Sequence, residues 1–133
     1  MYIELHASSA FSFLDGASLP EALVERAAAL GYPALALADR DGVYGAPRFH
    51  LAAKKAGIKA IIGAELTVGV TTTGQRPATS DAVFRLPVLI ESRQGYQNLC
   101  RLVTLMKLRA PKGEGALAID ELDGFTSGLV ALA

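Results

Sequence analysis

Pro33-Ala34-Leu35-Ala36-Leu37-Ala38, running into Asp39-Arg40-Asp41-Gly42, is the stretch that decides the fold. Six apolar residues in an unbroken run, with no polar alternation, describe a strand covered on both faces. Such cover comes from helices, and the flanks supply them. Upstream, Ser18-Leu19-Pro20-Glu21 reads as a helix start, with Ser18 as cap, Pro20 in the first turn and Glu21 closing a capping box. Leu19, Leu23, Ala27 and Leu30 then share one helical face, and Gly31 ends the helix. Downstream, Asp39 to Gly42 reads as a polar loop. A helix is predicted over 46–56, with Phe49, Ala52, Ala53 and Ala56 inward and Gly57 as its stop. Ile58 to Val70 reads as a further strand, and Tyr2 to His6 as a first one. Strand, helix, strand, helix, strand with short connections means βαβ units with parallel pairing.

The pattern then changes. Residues 71–81 (Thr71 to Asp81) are polar and contain Gly and Pro. Val83 to Glu91 reads as a strand interrupted by Pro87, which suits an edge or irregular pairing and a β-hairpin inserted into the α/β order. A long helix is predicted over 94–108, with Tyr96, Leu99, Val103 and Met106 inward. A flexible loop covers 110–115, a helical turn Ile119 to Leu122, and a last strand lies within Ser127 to Ala133. That strand ends in apolar residues with no turn or polar tail, so the sequence is expected to be a piece of something longer. No internal repeat, heptad or low-complexity tract is seen. Several β-α units fit an open doubly wound sheet or a barrel, and the pattern does not choose between them.

The chain has 133 residues, 51% of them hydrophobic, enough for a real core. Lys plus Arg equals Asp plus Glu at 13 each. A domain that grips DNA by itself normally carries a basic excess, so this balance argues against that role. One cysteine, Cys100, rules out an internal disulfide, and its place on the apolar side of its helix predicts a core residue. No apolar run approaches the roughly 20 residues that span a bilayer, and no secretory signal is seen, so a cytoplasmic location without membrane contact is expected.

In parallel α/β folds chemistry gathers at the C-terminal ends of the strands. Those ends carry His6, Asp39 and, in Gly63-Ala64-Glu65, a glutamate; Asp15 lies in the first loop. Imidazole nitrogen with carboxylate oxygens suits Zn, Mn or Fe, and such ions activate water and clamp phosphoryl oxygens. Each residue also has a plainer reading. A lone histidine at a strand end is more often a hydrogen-bonded structural residue, and Asp15 before Gly16 and Asp39 before Arg40 suit turns or caps. Glu65 in an apolar strand is harder to dismiss, since a buried carboxylate needs a partner. Two positions oppose a metal. Ser8 is a poor ligand, and Arg40 brings a permanent positive charge. Arg40 is therefore expected to pair with Asp39 and Glu65 in place of an ion. There is no Gly-rich phosphate loop. Ser8, Ser9 and Ser12 near His6 make no triad. Arg101, Lys107, Arg109 and Lys112 read as a solvated basic face.

Glu4-Leu5-His6-Ala7-Ser8-Ser9, Phe11 to Ala17, Ala34 to Gly42, Ala52 to Lys59, Ile61 to Glu65 and Gly95 to Val103 together resemble the N-terminal PHP (polymerase and histidinol phosphatase) domain of bacterial DNA polymerase III α subunits, of replicative or error-prone type. The likeness runs through nearly the whole chain. It implies an α/β fold, the first half or so of a distorted (β/α)7 barrel with an inserted hairpin, with residues 1–133 as the N-terminal part of the domain. It implies that nucleotidyl transfer, with its Mg, belongs to later domains. Some members of the family bind a metal cluster in this domain and proofread as 3′–5′ exonucleases. Others use it as a platform or to dock a separate exonuclease.

Carried over residue by residue, His6, Asp15, Asp39 and Glu65 match family ligand positions. Ser8 and Arg40 stand where the family has histidines, and Arg85 stands where many relatives open a strand with one. The resemblance thus implies a vestigial site with no cofactor in this segment, or Zn, Mn or Fe were it active. Its implied partners are the rest of the polymerase chain, DNA through the parent enzyme, and other replisome subunits or a proofreading exonuclease. Isolated copies are expected to associate through uncovered strand edges. A small-ester metal-dependent phosphoesterase and a docking module for an exonuclease are the alternatives.

Overall fold

In the computed structural model, which describes residues 1–69 and 83–133, the apolar run at 34–38 is the first strand. Helix α1 spans Pro20–Ala29, strand β1 Ala34–Arg40, helix α2 Ala46–Ala56 and strand β2 Lys59–Gly69. Then come β3 (Val83–Ile90), α3 (Arg93–Leu108), β4 (Leu117–Ala118), a 3-10 turn at Ile119–Leu122 and β5 (Leu129–Ala131). The five strands form a sheet in the order β1-β2-β3-β5, with β4 on β2. The contacts divide the chain into two units, 1–64 and 65–133. No helix among the described residues is long and apolar enough to cross a membrane.

In the first unit β1 is buried over six of its seven residues, as continuous apolarity requires. Val24 and Ala27 of α1, Leu35 and Leu37 of β1, and Phe49 and Ala53 of α2 make one core. The strand extends through Asp39 and Arg40, which were expected in a loop; the carboxylate is accommodated because it accepts three hydrogen bonds, as described below. The face of α1 also differs from expectation. Pro20, Val24 and Ala27 point inward, while Leu19 and Leu30 are half-exposed. The cap is Leu19, with no side-chain bond. Pro20 has no N–H to satisfy, and Glu21 turns outward to Arg48 instead of back to the cap. Helix α2 has the expected bounds, with Ala56 exposed rather than inward.

Tyr2 to His6 is not a strand. The chain does run parallel beside β1, with Ala36 N–H donating to Glu4 O (2.9 Å), Ala7 N–H to Ala36 O (3.3 Å) and Ala38 N–H to Ala7 O (2.8 Å). Only Ala7 and Leu37 complete a bridge.

In the second unit β3 is continuous through Pro87, which needs only to accept: its carbonyl takes the Leu132 N–H at 2.9 Å. Antiparallel pairing sets Val88 opposite Ala131, Leu89 opposite Val130 and Ile90 opposite Leu129. Strand β4 joins β2 in parallel, Val68 opposite Leu117. The connection 70–82, where a polar loop was expected, lies outside the described residues. Helix α3 begins at Ser92, whose hydroxyl accepts from Gly95 N–H. Its inward residues are Gly95, Asn98, Leu99, Leu102 and Met106, whereas Tyr96 is 44% exposed and Cys100 half-buried. Leu99 and Met106 are thus inward as expected, while Gly95, Asn98 and Leu102 take the places of Tyr96 and Val103, because the first turn of α3 packs on Gly128. A Cβ on Gly95 would lie 1.9 Å from the Gly128 carbonyl oxygen. Gly128 itself has φ +76, a conformation open to glycine. Asn98, buried, donates to Ser127 O at 2.9 Å, and Glu91 N–H to Gly128 O at 2.8 Å.

Arg109, expected on a solvated face, is instead a clamp. It donates to both carboxylate oxygens of Glu121 and to Ala116 O. Glu121 also accepts from Ala118 N–H.

Candidate functional site

The end of β1 and the loop 7–16 make the site. Asp39 is 2% exposed. Its Oδ1 accepts from Ser9 N–H at 2.7 Å and from the Ser12 hydroxyl at 2.7 Å; its Oδ2 accepts from the Ser9 hydroxyl at 2.8 Å. A carboxylate offers about four lone-pair directions, and three are taken. The serines are in turn tied to the backbone: Ser12 Oγ accepts from Arg40 N–H and Ser9 Oγ from Phe11 N–H. Tight turns close the loop, with Ser12 N–H donating to Ser9 O, and Asp15 and Gly16 N–H both donating to Ser12 O. Gly16 is needed for the close approach, since a Cβ there would sit 2.1 Å from Ser9 O.

Arg40 alternates with Asp39 along the strand and faces the other way. Its guanidinium pairs with Asp15 at 3.0 Å and donates to Phe13 O at 3.5 Å. The expectation that Arg40 would neutralise Asp39 and Glu65 is therefore corrected. Asp39 is satisfied by serines and an amide, and Arg40 takes Asp15. In the second unit Glu65 is paired with Arg85 at 3.0 Å.

His6 is exposed, and Ser8 is half-buried. The His6 backbone N–H donates to Glu4 Oε1 at 2.9 Å, while the Tyr2 hydroxyl donates to Oε2 at 2.7 Å. The Tyr2 bond, and after it the His6 N–H, holds the Glu4 carboxyl below its ordinary range. Tyr2 packs edge-on against Tyr32.

Of the four residues expected as ligands, the first unit brings Asp15 to Arg40 and Asp39 to Ser9 and Ser12. Among the described residues no group of three or more His, Cys, Asp or Glu side chains is placed to hold a metal ion. The donor set of this loop does not fit such an ion: its carboxylate oxygens are committed to hydroxyls, an amide and a guanidinium. Sequence reasoning weighed Ser9 and Ser12 only as nucleophiles. The signal for a clamp was present, since two serines three apart in a tight turn can converge on one acceptor.

A family model for the PHP domain matches residues 4–133. The chain belongs to the PHP domain family. An error-prone DNA polymerase of Anaeromyxobacter sp. (strain K) is 54% identical to this PHP segment over 86% of it. One from Ralstonia nicotianae is 48% identical over 91%, and one from Mycobacterium tuberculosis (strain H37Rv) 45% over 96%. The PHP segment spans only 11%, 9% and 12% of the Ralstonia, Anaeromyxobacter and Mycobacterium chains.

Among solved structures, an amidohydrolase from Chromobacterium violaceum matches 78% of the segment with 28% identity and a TM-score of 0.57, over 32% of that protein. A candidate metal-dependent phosphoesterase from Bifidobacterium adolescentis matches 80% at TM-score 0.56 and 23% identity, over 34% of its chain, and shows the fold alone. The mixed α/β architecture is that of part of a PHP-type barrel.

Proposed function

We propose that this chain is the N-terminal PHP segment of an error-prone-type DNA polymerase polypeptide, and that its strand-end carboxylates serve as a structural clamp in place of a metal centre. Identities of 45–54% to error-prone DNA polymerases support the first half. One observation carries the second: Asp39 accepts three hydrogen bonds from Ser9 and Ser12 while Arg40 holds Asp15. On this reading DNA, Mg and nucleotidyl transfer belong to the remainder of the polypeptide, together with contacts to replisome subunits or a proofreading exonuclease. The segment itself has no 3′–5′ exonuclease activity and needs no Zn, Mn or Fe. Its setting is the cytoplasm.

Metal analysis after purification with Zn, Mn and Fe supplied is the test. Substoichiometric metal is expected, and stoichiometric metal would overturn the clamp. The double substitution Ser8→His with Arg40→His is expected to leave metal content low, because Asp39 remains committed to Ser9 and Ser12. Primer extension by the intact polypeptide tests the polymerase assignment separately.

A phosphoesterase is the second reading, motivated by the carboxylates Asp15, Asp39 and Glu65 at or near strand ends. It requires metal-dependent hydrolysis of a small phosphate ester, and the committed donor set weighs against it.

A further inference from the structure

We propose that Glu4 sets the register of the strap 2–7 on β1: its carboxylate holds one extra residue in that strap and so keeps an acid off the face that a regular strand would give to His6 and Ser8. The extra residue is visible in the hydrogen bonds. Ala36 N–H donates to Glu4 O at 2.9 Å, while Ala36 O accepts from Ala7 N–H at 3.3 Å. In regular parallel pairing, the residues bonded to one partner's N–H and C=O are next-but-one neighbours. Here Leu5 and His6 both intervene, so two residues stand opposite one, which is a β-bulge. The following bond, Ala38 N–H to Ala7 O at 2.8 Å, is back in the regular pattern, with Ala7 opposite Leu37. The side-chain faces agree. Ala7 and Tyr32 both pack against the core of α1, β1 and α2, and Tyr2 lies edge-on against Tyr32 with ring centres 5.3 Å apart. Tyr2 and Ala7 are an odd number of residues apart, so an unbroken strand would face them opposite ways. The bulge brings both to the core side.

Glu4 supplies what a bulge needs. An extra residue leaves its N–H outside the ladder, and that group requires an acceptor. Here it is the His6 N–H, and Glu4 Oε1 accepts it at 2.9 Å. The Leu5 N–H lies toward the same carboxylate; in a regular register it would donate to Ala34 O. Glu4 Oε2 is anchored by the Tyr2 hydroxyl at 2.7 Å, and Tyr2 by Tyr32, just ahead of β1. The carboxylate therefore competes with the ladder for the strap's N–H groups. Without it, regular pairing moves residues 2–4 by one position and turns their side chains over. Glu4 would then share a face with His6 and Ser8, opposite to that of Ala7. The bulge decides whether an acid stands beside the imidazole at the strand end. The device lies within residues 2–38 and does not depend on the polymerase reading.

The test is amide hydrogen exchange in the intact polypeptide that carries this segment, read residue by residue through pepsin digestion and electron-transfer fragmentation. Glu4→Ala is expected to speed exchange of the His6 N–H about tenfold and to slow that of the Leu5 N–H about tenfold, as the first loses its acceptor and the second gains Ala34 O. Glu4→Gln keeps an acceptor oxygen for His6 and is expected to stay within about threefold of wild type at both positions. Opposite movement of two adjacent amides marks a change of register, whereas mere loosening of the strap speeds both. A Leu5 N–H that fails to slow in Glu4→Ala overturns the proposal, and so does a Gln variant that behaves like the Ala variant. Deletion of Leu5 decides the matter if Glu4→Ala does not fold. It removes the extra residue, leaves Glu4 O on Ala36 N–H and makes the pairing regular by count. The Glu4 N–H, then opposite Ala34 O, is expected to exchange about tenfold more slowly than in wild type, and unchanged exchange there overturns the register assignment.

Discussion

Replacing Asp39 by alanine and, separately, by asparagine measures the clamp. In the native state one buried carboxylate accepts three hydrogen bonds, from Ser9 N–H, Ser9 Oγ and Ser12 Oγ. Bonds to a charged acceptor each contribute about 1.5–3 kcal/mol, but burial of the carboxylate itself costs several kcal/mol, so the three do not simply sum. Alanine strands one amide and two hydroxyl donors, each left unsatisfied at about 1–3 kcal/mol. Both hydroxyls keep their acceptor roles toward Phe11 and Arg40 N–H, which holds them in place and limits their escape. The expected net loss is about 3–4 kcal/mol.

Asparagine keeps the shape. Its carbonyl can replace Oδ1 toward Ser9 N–H and Ser12, and its amide can donate to Ser9 Oγ, with a loss of about 1 kcal/mol. Urea unfolding followed by circular dichroism reads both. With an m-value of about 1–3 kcal/mol per molar, alanine should lower the midpoint by about 1–4 M and asparagine by roughly a third of that. Equal, small shifts of under about 1 kcal/mol for both variants would refute the clamp. So would wild-type stability that collapses with a chelator.

Arg109→Ala should cost about 2 kcal/mol in the same assay, because it leaves the mostly buried Glu121 carboxylate without its fork and Ala116 O without a donor. Arg109→Lys should recover less than half, since an ammonium cannot bond both oxygens in plane. The third expectation concerns pH. The Glu21 carboxyl is held below its ordinary 4.5 by the Arg48 hydrogen bonds. A carboxyl with a depressed folded-state value stabilises the fold fully above its unfolded value, and that stabilisation is lost as pH falls through the folded value. Wild type should therefore lose more urea resistance between pH 5 and about pH 3 than Arg48→Met; parallel profiles would show that the pair contributes nothing.

The α/β order was legible because apolar run length and glycine stops report directly on burial and helix ends. Strand β1 and helix α2 came out with bounds close to those expected, and α3 with bounds one residue from them. The faces of α1 and α3 were legible only in part, since Ala27, Leu99 and Met106 are inward as expected but Leu19, Leu30 and Tyr96 are exposed. Leu19 and Leu30 fit the helical period as well as Val24 does, and only packing on β1 and α2 selects among them. For α3 the choice was made by two glycines in contact, Gly95 and Gly128, which a scan for large apolar residues passes over. At the candidate site Asp15, Asp39 and Arg40 lie together at the end of β1 while Glu65 pairs with Arg85 on the other unit's strands, and none of this pairing was readable. Asp39 and Arg40 are neighbours in sequence, and strand geometry sends them to opposite sides. Arg109 was taken for a surface charge because its partner Glu121 lies twelve residues on, beyond a loop.

The contact of α3 with residues 127 and 128 has a further consequence for how the last strand is read. Three residues pair β5 with β3, too few for side-chain pattern alone to forbid a shift by one position. Such a slip would turn every side chain of the strand to the opposite face. The chain is fixed before it enters the ladder, by Asn98 on Ser127 O and by Gly95 seated against Gly128. Alignment of β5 is thereby inherited from the helix, and a mutation at Gly95 would misthread a strand more than thirty residues away.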